Sequence, residues 1–119
     1  MDELAKLHCS RIAADTLALD QNEIDRLAPE LPGWQVVKSG GEPRLERSFK
    51  FDNFRKAMDF SEKVALVADE EDHHPAILTE WGKVTITWWT HRVKGLTRND
   101  FIMAAKSSKL YGDQYGKDK

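Results

Sequence analysis

Between residues 53 and 71 the side chains Phe54, Ala57, Met58, Ser61, Val64, Ala65 and Ala68 recur at three- and four-residue spacing, and Phe60 and Val67 widen the stripe. That period predicts a long amphipathic helix. Arg55, Lys56, Asp59, Glu62 and Lys63 occupy its opposite face, with Asp59 and Lys63 one turn apart as a favourable pair. Asp52 is the expected cap. Pro75 lies outside the helix and forces His74 into an extended conformation.

The flanking segments have a period of two instead. Trp34 to Val37 reads as a strand, residues 39–42 as a Gly-rich turn, and Leu45, Arg47, Phe49 and Phe51 alternate with Glu46, Ser48 and Lys50 as the second strand of a hairpin. A second hairpin follows, with strands over 76–81 and 83–91 and Gly82 in the turn. In its last strand Val84, Ile86, Trp88 and Thr90 point one way and Thr85, Thr87, Trp89 and His91 the other. Asp20 caps a short helix from Gln21 to about Ala28 that Pro29, Pro32 and Gly33 end. Thr97 opens a final helix to about Lys109, with Asp100 three residues on as in a capping box.

Two hairpins around one long helix imply an α+β fold, a four-stranded antiparallel sheet with α-helices packed on one face. Residues 1–19 are weakly patterned, with at most a short helix over 10–19. Residues 20–110 form the folded domain, and 111–119 read as a polar, loose tail.

A chain of 119 residues suits one domain, and its net charge of −2 gives no basic excess for nucleic acid or anionic membranes. No apolar run approaches the ~18 residues that span a bilayer. Cys9 is the only cysteine, which excludes an internal disulfide and a multi-cysteine zinc site and fits a reducing cytoplasm. The first twenty residues lack the apolar stretch of a signal peptide.

Chemistry gathers at two places. Asp69-Glu70-Glu71-Asp72 puts four acids where the helix dipole disfavours negative charge. A solvated helix end accounts for Glu70 and Glu71 as well as any function does, whereas Asp69 and Asp72 flank histidines they could orient. His73-His74-Pro75 follows at a helix-to-strand junction, and His91 ends a strand after two tryptophans. Imidazoles move protons near neutral pH, so these three make a candidate acid/base site, His91 being equally compatible with a plain structural role. A zinc site is the rival use, but adjacent histidines are an unusual spacing for two ligands of one ion, so no metal is expected. Trp34, at the start of a strand, is the best-placed tryptophan to stack on a flat heterocycle. Cys9 lies in the least ordered region, against a nucleophilic role.

Asp69, His73-His74-Pro75, Trp81, Thr90-His91 and Asp100, within a run from Asp72 to Lys106 and with Pro32-Gly33-Trp34 upstream, resemble the pterin-4a-carbinolamine dehydratase family. Some animal members of it double as dimerization cofactors of a homeodomain transcription factor. The pair Trp88-Trp89 is closer to bacterial members. The resemblance spans about residues 20–106 and implies a four-stranded antiparallel sheet with helices on one side, in a homodimer or homotetramer. It further implies a hydro-lyase, without cofactor or metal, that converts 4a-hydroxytetrahydropterin to quinonoid dihydropterin and water. This serves tetrahydrobiopterin recycling for an aromatic amino-acid hydroxylase in phenylalanine metabolism. By resemblance His73 and His91 are the proton-transfer pair and His74 positions substrate. Asp69, Asp72, Trp34, Thr90 and Asp100 are candidate substrate-binding residues. Asp69 stands where many relatives carry Glu and has less reach; it could bind the guanidine-like edge of a pterin or orient a histidine. Asp100 has a structural alternative as a helix cap. The other readings are a protein-binding, dimerization-cofactor-like module, or a dehydratase of a molybdopterin-related pterin.

Overall fold

In the computed structural model, which describes residues 2–115, the two hairpins join as one antiparallel sheet in the order β1-β2-β4-β3. β1 is Gln35–Ser39, β2 Glu42–Lys50, β3 Ala76–Glu80 and β4 Lys83–Trp88. Gly40 and Gly41 turn the first hairpin with φ of 59° and 84°, the doubly left-handed geometry of a tight two-residue loop that glycine reaches without steric cost.

The helices are α1 (Asp2–Lys6), α2 (Gln21–Leu27), α3 (Phe54–Glu71) and α4 (Arg98–Tyr115). α2 starts in a full capping box between Asp20 and Glu23. For α3 the cap is Asn53, whose side chain accepts from Lys56 N, not Asp52, which instead pairs with Lys56 at the surface. The helix ends on Asp72 in the left-handed region, φ 53°, and His73 N donates to Ala68 O at 3.1 Å. This closing turn fixes the backbone of His73 before Pro75 leads into β3.

One sheet face is apolar. Leu45 and Phe49 of β2 and Val84, Ile86 and Trp88 of β4 are fully buried there against Ala57, Phe60, Val64 and Ala68 of α3 and Phe101 and Ala104 of α4. The other face is polar, with Thr87 donating to Glu46 and Ser48 paired with Thr85. The period-two reading of β2 and β4 therefore holds, and helices cover one face of the sheet as expected.

Three expectations change at the ends. α4 continues to Tyr115 because Tyr111 and Tyr115 are not tail residues: both pack on Phe51 and Phe60, and the Tyr115 hydroxyl donates to Asp59 at 2.6 Å. Residues 116–119 lie outside the described residues. β4 stops at Trp88, and His91 starts a short 3-10 turn (His91–Val93) instead of ending the strand. Residues 10–19 form no helix; the N-terminal helix is α1, which packs on α4. Among the described residues no helix is long and apolar enough to cross a membrane.

Candidate active site

The site is built where α3, β4 and α4 meet at one end of the sheet. His73 is buried, its ring parallel to Trp88 at a centroid distance of 5.9 Å and 9° between planes. Its Nε2 lies 2.6 Å from Asp100 Oδ1. A carboxylate only accepts, so Nε2 carries the proton and Nδ1 is left for chemistry. The second oxygen of Asp100 accepts from Thr90 Oγ1 at 2.7 Å and from Thr97 N at 2.9 Å. Thr90 and Thr97 also share a hydroxyl hydrogen bond of 2.8 Å. Asp100 is completely buried, and three donors compensate its charge. It therefore caps the start of α4 and orients His73 at once, one task per oxygen.

Thr90 is the chain neighbour of His91, and its bond to Asp100 brings the turn carrying His91 to the His73 segment. A bridge between Thr90 and Gly95 closes that turn, and Lys94 ends it at φ 57°. The His91 ring is exposed and lies against Trp89, centroids 4.4 Å apart. The Arg44 guanidinium covers Trp89 at 3.9 Å, so a column of Arg44, Trp89 and His91 stands at this end of the sheet. No local pattern points to Arg44; the pairing of Leu45 with Trp88, which aligns residue 44 with residue 89, is needed to find it.

His74 points outward, and its Nε2 donates to Asp69 Oδ1 at 2.9 Å. Asp69 therefore contacts a histidine, and the pair lies at the surface. Asp72 is exposed and ends α3 through its backbone; its side chain makes no hydrogen bond to a histidine among the described residues. Of the remaining acids, Glu70 is solvated, whereas Glu71 accepts from Cys9 N and from His8 Nδ1, each at 2.7 Å. Burial pushes the Glu71 carboxyl up, but these bonds and Lys106 outweigh it and hold the group below the usual glutamate range. Cys9 is half-buried, and burial with the charges of Glu71 and Asp100 pushes its thiol up to about 12.

Two aromatic candidates sit elsewhere within the chain. The Trp34 indole donates to Ser108 Oγ at 2.7 Å and packs edge-on against Phe49. It precedes β1 while His73 and His74 precede β3, so about 14 Å of sheet width separates them. Trp81 is 74% exposed in the β3–β4 turn, a strand length of about 16 Å from Pro75. Among the described residues, no group of three or more His, Cys, Asp or Glu side chains is arranged to hold a metal ion.

The model of one family, described as pterin 4 alpha carbinolamine dehydratase, matches residues 17–110. The chain belongs to that dehydratase family. Members are hydro-lyases, and His73, His74, His91, Thr90 and Asp100 all fall inside the matched span. The chain is 46% identical over 110 residues to a protein of Nitrosococcus oceani, covering 92% of this chain and 97% of the relative. It is 48% identical over 111 residues to one of Marinobacter nauticus, covering 93% and 100%. Both carry the name "Putative pterin-4-alpha-carbinolamine dehydratase". The crystal structure of a transcriptional coactivator/pterin dehydratase from Brucella melitensis superposes with a TM-score of 0.72 at 35% identity, covering 78% of this chain and 97% of that one.

Proposed function

We propose that the protein removes water from a 4a-hydroxytetrahydropterin, giving the quinonoid dihydropterin, and that it does so in the cytoplasm during recycling of a tetrahydropterin used by an aromatic amino-acid hydroxylase. Hydroxide is a poor leaving group, so the 4a oxygen must gain a proton while a ring nitrogen loses one. His73 and His91 are the proton-transfer pair, and His74, oriented by Asp69, positions the substrate. The observation that supports this most is the carboxylate of Asp100, which holds His73 through one oxygen and the residue before His91 through the other. Thr90 and Asp100 are then positioning residues, Asp72 ends α3 beside the site, and Trp34 is a candidate for substrate contact only where a second subunit brings it near.

A homodimer or homotetramer is part of this reading. Leu78 (58% exposed) and Trp81 (74%) present apolar surface, and β1 and β3 have unpaired edges. Static light scattering checks the state.

The deciding experiment is stopped-flow absorbance on enzymatically generated 4a-hydroxytetrahydropterin. His73→Ala and His91→Ala should each slow turnover by about 10²–10⁴, and the double variant should leave little above the uncatalysed rate. A folded double variant with full activity rejects the assignment. The Brucella protein is called a coactivator as well as a dehydratase, which favours a second reading, a protein-binding role beside catalysis. Partner capture with the catalytically dead double variant would reveal it.

A further inference from the structure

Residues 7–19 cross the back of the site, and each of their anchors is next to, or within two positions of, a residue of the proposed centre. His8 and Cys9 N bind Glu71, two residues before His73. Ser10 N donates to Asn99 Oδ1 at 2.9 Å, and Asn99 Nδ2 donates back to Ser10 O at 2.7 Å, beside Asp100. Arg92 Nη1, next to His91, donates to Ile12 O at 3.0 Å. Leu19 N donates to Leu96 O at 2.8 Å, beside Thr97. Lys106 of α4 holds Ala5 O at the end of α1 and lies 3.9 Å from Glu71, which ties the start of the strap to the same junction.

These anchors are costly to place. Glu71 is an acid in the last turn of a helix, against the dipole, and both it and Asn99 are largely buried. Glu71 spends one oxygen on the strap's backbone at Cys9 N and the other on the His8 ring, and the Asn99 amide bonds Ser10 in both directions as a neighbouring strand would. The segments they join carry the two ends of the His73–Asp100 hydrogen bond. A shift between α3 and α4 would stretch that 2.6 Å contact directly, and misplacement of about 1 Å costs on the order of 10²-fold in rate.

We propose that residues 7–19 are a clamp that sets the spacing of the three catalytic segments, with Glu71 and Asn99 as positioning residues acting through His73, Asp100 and His91. The inference rests on the dehydratase reading of the site. The strap residues that Glu71 and Asn99 hold lie upstream of residue 17, where the family match begins.

The test compares Glu71→Ala, Glu71→Gln, Asn99→Ala and Ser10→Pro in the full-length chain. Ser10→Pro deletes the strap's own N–H and alters neither α3 nor α4, so it serves if a helix variant fails to fold. Expected is a fall in kcat of about 10-fold or more in Glu71→Ala, Asn99→Ala and Ser10→Pro, with KM changed less than about 3-fold. Glu71→Gln, which keeps an acceptor for Cys9 N, should recover most of kcat. The downfield proton signal of the short His73–Asp100 bond should shift or broaden in the first three variants and return in Glu71→Gln. Folded variants with wild-type kcat and an unmoved His73 signal overturn the clamp. If His73→Ala and His91→Ala are themselves fully active, the dehydratase reading fails instead, and the His73 signal still reports whether the strap holds the junction.

Discussion

Asp100→Asn separates the two tasks of one carboxylate. The side chain is fully buried, with contacts of 2.6 Å to His73, 2.7 Å to Thr90 and 2.9 Å to Thr97 N. Asparagine keeps one oxygen, which can still accept from Thr90 and Thr97, so the start of α4 survives. Its amide NH₂ then faces His73 Nε2, where two donors would meet. The imidazole must move its proton to Nδ1, and the nitrogen left for chemistry becomes the wrong one. The charge-assisted bonds to His73, Thr90 and Thr97 N all become neutral ones, a loss of about 1.5–3 kcal/mol in total. At a urea slope of about 1.5 kcal/mol per molar that lowers the midpoint by about 1–2 M. Asp100→Ala strands all three donors and should cost about 3–5 kcal/mol. Stopped-flow turnover of Asp100→Asn should fall by about 10²–10⁴. Thr90→Val, which leaves the His73 contact in place, is the comparison and should lose less than about 10-fold. A folded Asp100→Asn protein that turns over at the wild-type rate would refute the idea that this carboxylate dictates the tautomer of His73.

Three further outcomes follow from the same geometry. Asp72→Gly should keep kcat and gain up to about 1 kcal/mol in urea unfolding, because φ of 53° costs a side chain more than it costs glycine; a large loss of kcat would return Asp72 to the substrate site. Cys9, with its thiol at about 12, should alkylate on the order of 10³ more slowly than free cysteine at pH 8 and recover normal reactivity in denaturant, read by intact mass. The Glu71 carboxyl is held low when folded, so its contribution is complete above the ordinary glutamate pKa and is lost as pH falls through the folded value. The stability difference between wild type and Glu71→Gln should therefore be full at pH 7 and shrink below about pH 4.3; a gap that is constant with pH contradicts it.

The order of elements and the buried face of each strand are legible because β2, β4 and α3 obey a single period over their whole length. The histidine pair is legible because Pro75 pins it to a junction. What the pattern hides is pairing between distant segments. Arg44 reaches Trp89 only through the register of β2 on β4, and Trp34 looks like a ligand platform until Ser108, 74 residues away, takes its N–H. The end of α4 escapes a local reading because Tyr111, Gly112 and Asp113 look polar together while the aromatic cluster that captures Tyr111 comes from β2 and α3. Residues 7–19 have no period because they are held by side chains of other elements, a form of order that leaves no trace in their own composition.

That Asp100 both starts a helix and aims the ring proposed to move the proton couples two properties that engineers usually adjust separately. On that reading, thermostability screens that sample positions 90, 97 and 100 will find few gains that do not also alter turnover, and selections for altered chemistry will lose stability there first. Room for improvement lies at sites such as Asp72, where the backbone alone is under strain.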